Sequence, residues 1–306
     1  MKTRISSVIA VLSVAGVACA QDGLVVGVDD TTVGMFVYKN GAWSALANSA
    51  VQVWGLAADE ASETLYIAGN ANTLFKWTEA GGLETIATFT YNAAAVNFVS
   101  LAYSNGKLYG TRNITTEGVY EIDPTTAVAT LLWAYPTAYD IGGLDVDPAT
   151  GKLYGTNDAT GAPLGQGLFE IDTTAQTFVK VSDYPAILGS GPNDLDGLAI
   201  GNGKAYFIPD QPGEIGVLDL ATLTFDPPFA NPFTTSEIFS GGAFAGFLAA
   251  SACYPDCDGS GGLSIDDFIC FQTLFAIGDP AADCDLSGNL SIDDFICFQT
   301  AFALGC

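Results

Sequence analysis

Residues 143–157 read GLDVDPATGKLYGTN, residues 167–174 read GLFEIDTT and residues 178–181 read FVKV, and together they define a repeating unit. The unit predicts four short strands: an inner strand that begins with Gly-Leu, a strand with Leu-Tyr, a strand that ends in Ile-Asp, and an outer strand. Short antiparallel strands that follow one another in this way, in a unit that recurs, are typical of one blade of a β-propeller.

The same unit recurs through residues 21–250 at spacings of roughly 41–52 residues. LAYSNGKLYGT at residues 101–111 and GVYEIDPTT at residues 118–126 repeat its first three strands, and GLAIGNGKAYF at residues 197–207 repeats its first two. One Leu-Tyr strand per unit gives five blades. The anchor residues of the five blades are Leu24, Leu65, Leu108, Leu153 and Ala205.

Both ends of this region hold part of a unit. Leu24 begins a Leu-Tyr-type strand with no inner strand before it, whereas Gly241–Leu248 matches an inner strand with nothing after it. The last strand is therefore expected to complete the first blade and close the ring. Six or seven blades would result if a degenerate unit lay within the longer spacings, and a right-handed β-helix is disfavoured because its coils are shorter. The predicted fold class is mainly β, a single five-bladed β-propeller closed by its terminal strands.

Acidic and aromatic residues recur within the repeat. Three aspartates precede a turn at one register: Asp123, Asp172 and Asp219. Four tyrosines share another register: Tyr66, Tyr109, Tyr154 and Tyr206. Turn formation is favoured over catalysis for the aspartates, and packing over sugar stacking for the tyrosines. A further acidic set near the starts of inner strands is a candidate ligand or cation site: Asp140, Asp145, Asp194 and Asp196.

The C-terminal region contains one acidic motif twice, 27 positions apart: DCDGSGGLSIDDFICFQT at residues 256–273 and DCDLSGNLSIDDFICFQT at residues 283–300. Oxygen-bearing side chains at loop positions 1, 3, 5, 9 and 12, with Gly at position 6, match the spacing of an EF-hand calcium loop. The motif predicts two Ca²⁺ ions. The predicted ligands of the first site are Asp256, Asp258, Ser260, Gly262, Ser264 and Asp267. Those of the second site are Asp283, Asp285, Ser287, Asn289, Ser291 and Asp294. Gly262 and Asn289 would bind through their backbone carbonyls. Two solvated acidic turns are the alternative.

Each loop leads into a predicted helix. Ser264 and Ser291 stand at the N-cap, and Asp267 and Asp294 stand three residues later, as in a capping box. Apolar residues at near-helical spacing predict the packed faces: Ile265, Phe268 and Phe275 in one helix, and Ile292, Phe295 and Phe302 in the other. A domain of about 54 residues buries little apolar area, so we expect calcium, disulfides or both to stabilise it.

The doubled loop, with Asp at position 12 and one helix after each loop, resembles a dockerin domain over residues 253–306. The cysteines and the terminal Gly-Cys are similar to those of the GC-type dockerins. The resemblance implies a domain that binds two Ca²⁺ ions and docks onto a cohesin-like partner or another cell-surface receptor. Dockerins commonly carry a Ser/Thr-like pair at loop positions 10 and 11, and these two residues recognise the partner. Here those positions hold Ile265-Asp266 and Ile292-Asp293, a departure that leaves the receptor open.

Six of the seven cysteines lie in this region: Cys253, Cys257, Cys270, Cys284, Cys297 and Cys306. An even number of cysteines in a small exported domain predicts three disulfides. A four-cysteine zinc site is disfavoured because no Cys-x-x-Cys pair is present. The repeat symmetry favours a bridge between the first and last of the six, with the other four paired within or between the copies.

The first 20 residues predict a secretory signal peptide. Lys2 and Arg4 precede the apolar run Val8–Val17, and Ala18-Cys19-Ala20 fits a small-residue cleavage site. The apolar run is shorter than the ~18 residues that a membrane span requires. We therefore expect a secreted or cell-surface chain with no membrane span. Its expected parts are a signal peptide (1–20), a propeller (21–250) and a dockerin-like domain (251–306).

The charge of the chain excludes several classes of function. The sequence has 9 basic residues, 34 acidic residues and no histidine, for a net charge of −25, and loss of Lys2 and Arg4 with the signal changes −25 to −27. Such an acidic chain has no surface that could neutralise phosphates, which excludes a nucleic-acid partner. Without histidine, neither Ser-His-Asp nor Cys-His catalysis is available.

Three functions fit these features. The favoured one is a propeller that binds a glycan or a protein and is held in place by its dockerin-like tail. The second is a dockerin-tagged polysaccharide-degrading enzyme, a glycoside hydrolase or a lyase, with its site at the propeller mouth. No acid stands apart from the repeat register within an aromatic cleft, as a glycosidase site would require. The third is a structural protein of the cell surface.

Overall fold

The computed structural model describes residues 23–39, 41–112, 116–185, 195–210, 213–234, 237–249, 255–258, 263–284 and 289–304. By their internal contacts, Gln21–Ala249 form one compact unit, and a second unit contains Ala250–Cys306. The predicted signal peptide and its cleavage site lie outside the described residues.

The described residues of the first unit form five four-stranded antiparallel sheets, the blades of a β-propeller. The first blade contains β1 (Leu24–Val28), β2 (Met35–Lys39), β3 (Ala42–Ala45) and β22 (Phe239–Phe244). The second contains β4 (Val53–Asp59), β5 (Thr64–Gly69), β6 (Thr73–Thr78) and β7 (Gly82–Thr88). A hairpin of β8 (Thr90–Tyr91) and β9 (Ala94–Ala95) follows. The third contains β10 (Ser100–Ser104), β11 (Lys107–Arg112), β12 (Gly118–Ile122) and β13 (Ala129–Trp133). The fourth contains β14 (Ile141–Val146), β15 (Leu153–Asn157), β16 (Gly167–Asp172) and β17 (Thr177–Ser182). The fifth contains β18 (Gly197–Gly201), β19 (Lys204–Ile208), β20 (Glu214–Asp219) and β21 (Thr224–Ala230). The predicted mainly β fold and the count of five blades are confirmed.

The last strand of the propeller closes the ring, as predicted. β22 pairs antiparallel with β1, so that Leu24 lies opposite Phe244 and Val28 lies opposite Phe239. The strand is shorter than expected, because it ends at Phe244 and a short 3-10 turn covers Gly246–Leu248. The first blade is therefore built from both ends of the domain.

The closing turn is held by the second blade. The Glu60 carboxylate, just after β4, accepts hydrogen bonds from the backbone N–H of Gly246 at 2.6 Å and of Phe247 at 3.1 Å. Hydrogen bonds to a charged acceptor are stronger than those between neutral groups. This carboxylate therefore fixes the end of the chain segment that closes the ring.

The inner strands β4, β10, β14, β18 and β22 contact one another around the axis of the ring. A five-bladed ring is narrow, and its inner strands approach closely. A Cβ atom on Gly55 of β4 would lie 2.7 Å from the backbone of Ser100 at the start of β10. Only glycine allows the two strands to pack at this distance. The five predicted anchor residues on the next strands outward are all buried.

The repeated aspartates are turn residues, as predicted. The Asp123 carboxylate accepts hydrogen bonds from the hydroxyl and backbone N–H of Thr125 and from the backbone N–H of Thr126. These bonds lower the pKa of Asp123 to about 2. Asp172 and Asp219 accept equivalent backbone bonds. The aspartates therefore stabilise hairpin turns at the outer edge of the blades.

The described part of the second unit contains two helices, α1 (Ile265–Ile277) and α2 (Ile292–Leu304). Phe271 of α1 and Phe298 of α2 stack with their ring centroids 4.1 Å apart, and both are buried. The predicted packed faces are confirmed for Phe268 and Phe275 in α1 and for Phe295 and Phe302 in α2, but the prediction is wrong for Ile265 and Ile292, which are exposed. Phe271 and Phe298, which the sequence prediction does not include, complete the packed faces.

Candidate metal centre

The first calcium-loop motif ends at a capped helix. Ser264 is the N-cap of α1, and its hydroxyl accepts a hydrogen bond from the backbone N–H of Asp266 at 3.1 Å. In return, the carboxylate of Asp267 accepts one from the backbone N–H of Ser264 at 2.7 Å. This reciprocal pair is the capping box that the sequence predicts. It holds the carboxylate of Asp267 against the end of the loop, where the helix begins.

Three carboxylates of this loop converge. One oxygen each of Asp256, Asp258 and Asp267 lies within 4.8 Å of the others. Two ligands of one Ca²⁺ ion, each at about 2.4 Å from it, are separated by no more than about this distance. The three acids therefore fit a Ca²⁺ ion in spacing and in chemistry, since hard carboxylate oxygens are its preferred ligands.

Asp267 is the fully buried member of this group. Burial raises the pKa of its carboxyl, but the hydrogen bonds from the backbone of Ser264 and Asp258 outweigh that effect, so that the net pKa lies below the usual value. The Asp258 N–H donates at 3.2 Å. The carboxylate is therefore ionised at neutral pH, as a metal ligand must be. Of the other ligands predicted for this loop, Ser260 and Gly262 lie outside the described residues.

The second copy repeats the helix cap. The Asp294 carboxylate is fully buried and accepts a hydrogen bond from the backbone N–H of Ser291 at 2.7 Å. The hydroxyl of Ser291 accepts from the N–H of Asp293 at 3.0 Å. Asp283 and Asn289 are described, whereas the predicted ligands Asp285 and Ser287 are not. The buried acid at loop position 12 is therefore common to both copies.

Disulfides tie each loop to its own helix. The described bridges are Cys257–Cys270 and Cys284–Cys297, with Cα–Cα distances of 5.7 and 5.8 Å. Pairing is thus within the copies, one of the two arrangements that the sequence left open, and these four sulfurs are not available to zinc. In the chain-entropy view, closing a loop of this length stabilises by about 3 kcal/mol. Cys253 and Cys306 lie outside the described residues.

Each helix also presents an exposed apolar pair that the packed core does not use. Ile265 and Ile269 are 70% and 55% exposed, and Ile292 and Ile296 are 69% and 54% exposed. A spacing of four residues places both members of a pair on one helix face. The sequence prediction named only the first isoleucine of each pair. The second was detectable from the same spacing.

The acidic set predicted at the starts of the inner strands is not one cluster. Asp140 and Asp196 do precede β14 and β18, but Asp145 is the fifth residue of β14, near its opposite end. Each inner strand runs along the channel from one end of the ring to the other. Asp140 and Asp196 therefore lie near one end of the ring, and Asp145 lies near the other end. Asp194 lies outside the described residues.

No helix among the described residues is long and apolar enough to cross a membrane. The two disulfides are typical of proteins outside the cytoplasm.

No protein-family model matches the sequence, and no curated protein matches it. Among solved structures, the chain is similar to one in the crystal structure of a nidogen/laminin complex, with 13% identity, a TM-score of 0.49, and coverage of 72% of this chain and 97% of that one. It is also similar to a chain of Kuenenia stuttgartiensis hydrazine synthase, with 13% identity, a TM-score of 0.37, and coverage of 58% and 49%. Neither similarity carries a function to this chain, and the propeller assignment rests on the strand topology above.

Proposed function

We propose that this chain is an extracytoplasmic docking protein, in which a calcium-binding, dockerin-like tail attaches a five-bladed propeller to a cell-surface receptor. The observation that carries the proposal is the convergence of Asp256, Asp258 and Asp267 in a loop that the sequence repeats 27 residues later. A duplicated loop of this kind, each copy followed by one helix, supports a two-ion tail rather than two solvated turns. The disulfides and the predicted signal peptide support export.

Calcium would neutralise the acids that the fold brings together. In the first site the ion would be held by Asp256, Asp258, Ser260, the carbonyl of Gly262, Ser264 and Asp267. The equivalent residues of the second site are Asp283, Asp285, Ser287, the carbonyl of Asn289, Ser291 and Asp294. When bound, Ca²⁺ supplies positive charge that offsets the repulsion among the carboxylates of each loop. The ordered loop would then fix the start of each helix, where the docking residues stand.

The exposed faces at the helix starts supply the docking contacts. Ile265, Asp266 and Ile269 form one face, and Ile292, Asp293 and Ile296 form its repeat in α2. An apolar pair beside an acid fits a partner with an apolar groove and a basic rim, because burial gives affinity and charge gives selectivity. Two equivalent faces allow a cohesin-like or other receptor to engage either copy.

Substitutions on these faces test the docking proposal. Changing Ile265 and Ile269 to serine should weaken capture of the receptor by no more than about twofold, because the second face substitutes. Changing Ile292 and Ile296 as well should weaken it at least about a hundredfold, since each buried isoleucine contributes about 1.5–3 kcal/mol. The measurement is calcium-dependent capture from the producing cell's envelope, with affinity then measured on the purified receptor.

Ile277→Ser is the matched control, because Ile277 is 71% exposed but lies at the far end of α1. Its capture should equal that of the wild type. Circular dichroism of each variant shows whether the helices remain folded. Undiminished capture by the four-isoleucine variant, or capture that persists after calcium is chelated, would contradict the docking role.

A further inference from the structure

A cavity of about 240 Å³ lies in the propeller at the C-terminal ends of its inner strands. All five blades contribute to its wall: Glu60 follows β4, Tyr103 belongs to β10, Asp145 to β14 and Phe244 to β22, and Asn202 follows β18. Glycines close-pack the inner strands farther along the channel, as at Gly55. The cavity is therefore a separate recess at one end of the ring, large enough for a small organic molecule.

Asp145 places a buried carboxylate in this recess. Its side chain is 8% exposed, and its two oxygens accept hydrogen bonds from the backbone N–H of Val146 at 2.8 Å and of Ile200 at 2.6 Å. Each carboxylate oxygen has a second lone pair that these bonds do not use. Asp145 is thus fixed in orientation and retains acceptor capacity.

Three other side chains of the wall are also held by neighbouring groups. The Glu60 carboxylate is held by the two N–H groups of the closing turn. Tyr103 stacks on Tyr66 with ring centroids 5.6 Å apart, and Phe244 stacks on Tyr206 at 5.8 Å. Among the described residues that line the recess, none is Lys or Arg. The recess therefore combines two carboxylates with two immobilised aromatic rings and no opposing positive charge.

We propose that this recess binds a small organic ammonium ion. Carboxylates and aromatic faces together are the groups that attract such a cation, the first by charge and the second by the ring quadrupole. Because the carboxylates of the wall are hydrogen-bond acceptors, the recess favours a positively charged ligand. A neutral sugar is less suited to it, because sugar hydroxyls require both donors and acceptors from the protein. The net charge of −27 expected for the mature chain raises the local concentration of cations. The inference concerns the propeller alone and does not depend on the role of the tail.

Choline and its neutral isostere 3,3-dimethylbutan-1-ol provide the test, because the two share a shape and differ in charge. Calorimetry on the full mature chain, saturated with calcium and held at about pH 9 so that Asp145 is ionised, should show choline binding at least about tenfold tighter than the isostere. n-Butylamine should also bind. Glucose, the probe for the predicted glycan ligand, should not. Equal binding of the isostere, binding of glucose alone, or binding of none of these probes would overturn the proposal.

Two variants locate the site within the protein. Asp145→Asn and Tyr103→Leu should each weaken choline binding by about tenfold or more. Glu79→Gln is the matched control, because it removes one exposed negative charge outside the recess and should change the affinity by less than about twofold. An equal loss of choline affinity in the control would mean that choline is attracted by the overall negative charge of the protein and not bound in the recess. If a site variant does not fold, the comparison of choline with its isostere in the wild type still decides the proposal.

The pH profile gives an independent readout, because choline carries a fixed charge. Burial raises the pKa of Asp145 to about 8, against the opposing effect of the bonds from Ile200 and Val146, and the nearby Asp147 adds to the rise. Choline affinity should therefore increase from about pH 6 to about pH 9 as Asp145 loses its proton. The Asp145→Asn variant should show a flatter profile. A flat profile in the wild type would contradict the role of Asp145.

Discussion

A propeller fragment of residues 21–238 should not fold cooperatively, whereas a fragment of residues 21–249 should. The shorter fragment lacks β22, which supplies the inner strand of the first blade. Phe239, Ala243 and Leu248 are all buried in the intact domain. A fully buried phenylalanine or leucine contributes about 1.5–3 kcal/mol, and several such losses equal the whole stability of a typical domain, about 5–15 kcal/mol.

The measurement is thermal unfolding followed by circular dichroism, together with light scattering. The longer fragment is the control, because it lacks the tail but retains the closing strand. Loss of β22 also leaves β1 with an unpaired edge, so the shorter fragment should aggregate. An equal melting temperature for the two fragments would show that the ring does not depend on this closure.

Replacing Asp267 and Asp294 together with asparagine should abolish calcium-dependent folding of the tail. Each of these carboxylates is fully buried and accepts a hydrogen bond from the backbone N–H of the serine that caps its helix. The substitution replaces a charged metal ligand by a neutral amide oxygen and a charge-assisted hydrogen bond by a neutral one, a combined cost of about 3 kcal/mol per site. The calcium affinity of each site should therefore fall by at least about a hundredfold.

Asp266→Asn with Asp293→Asn is the matched control for this change. It removes the same number of charges from the adjacent positions, where both side chains are exposed. Calcium affinity in this variant should change by less than about threefold. The readouts are helicity and calcium affinity in the same samples. Equal losses in the two double variants would mean that overall charge, and not the buried acids, controls binding.

The period of the repeat made the propeller predictable from the sequence. Strand alternation and turn residues specify four strands per unit, and the incomplete units at the two ends require closure by the last strand. The recess around Asp145 was not predictable in this way. The residues of its wall are far apart in the sequence, from Glu60 to Phe244. They meet at one end of the channel only because the fold aligns the ends of the five inner strands.

The prediction of the packed faces of the tail helices is correct for four phenylalanines but wrong for Ile265 and Ile292, and it omits Phe271 and Phe298. α1 reads IDDFICFQTLFAI, in which apolar residues occur on nearly every side, so periodicity alone does not distinguish Ile265 from Phe271. The helix cap decides the phase, since Asp267 turns inward to meet Ser264 and leaves Ile265 outside. The disulfide pairing was ambiguous for a related reason. Repeat symmetry is satisfied by bridges within or between copies, and the fold selects those within.

Calorimetric titration of the oxidised mature chain, stripped of metal and then supplied with Ca²⁺, tests the central claim most directly. The three converging carboxylates and their sequence repeat predict two Ca²⁺ ions per chain, with affinities between about 10⁻⁷ and 10⁻³ M. Binding should be accompanied by a rise in helicity. A chain that takes up no Ca²⁺ at millimolar concentration would contradict the assignment of the tail as a calcium-dependent docking module.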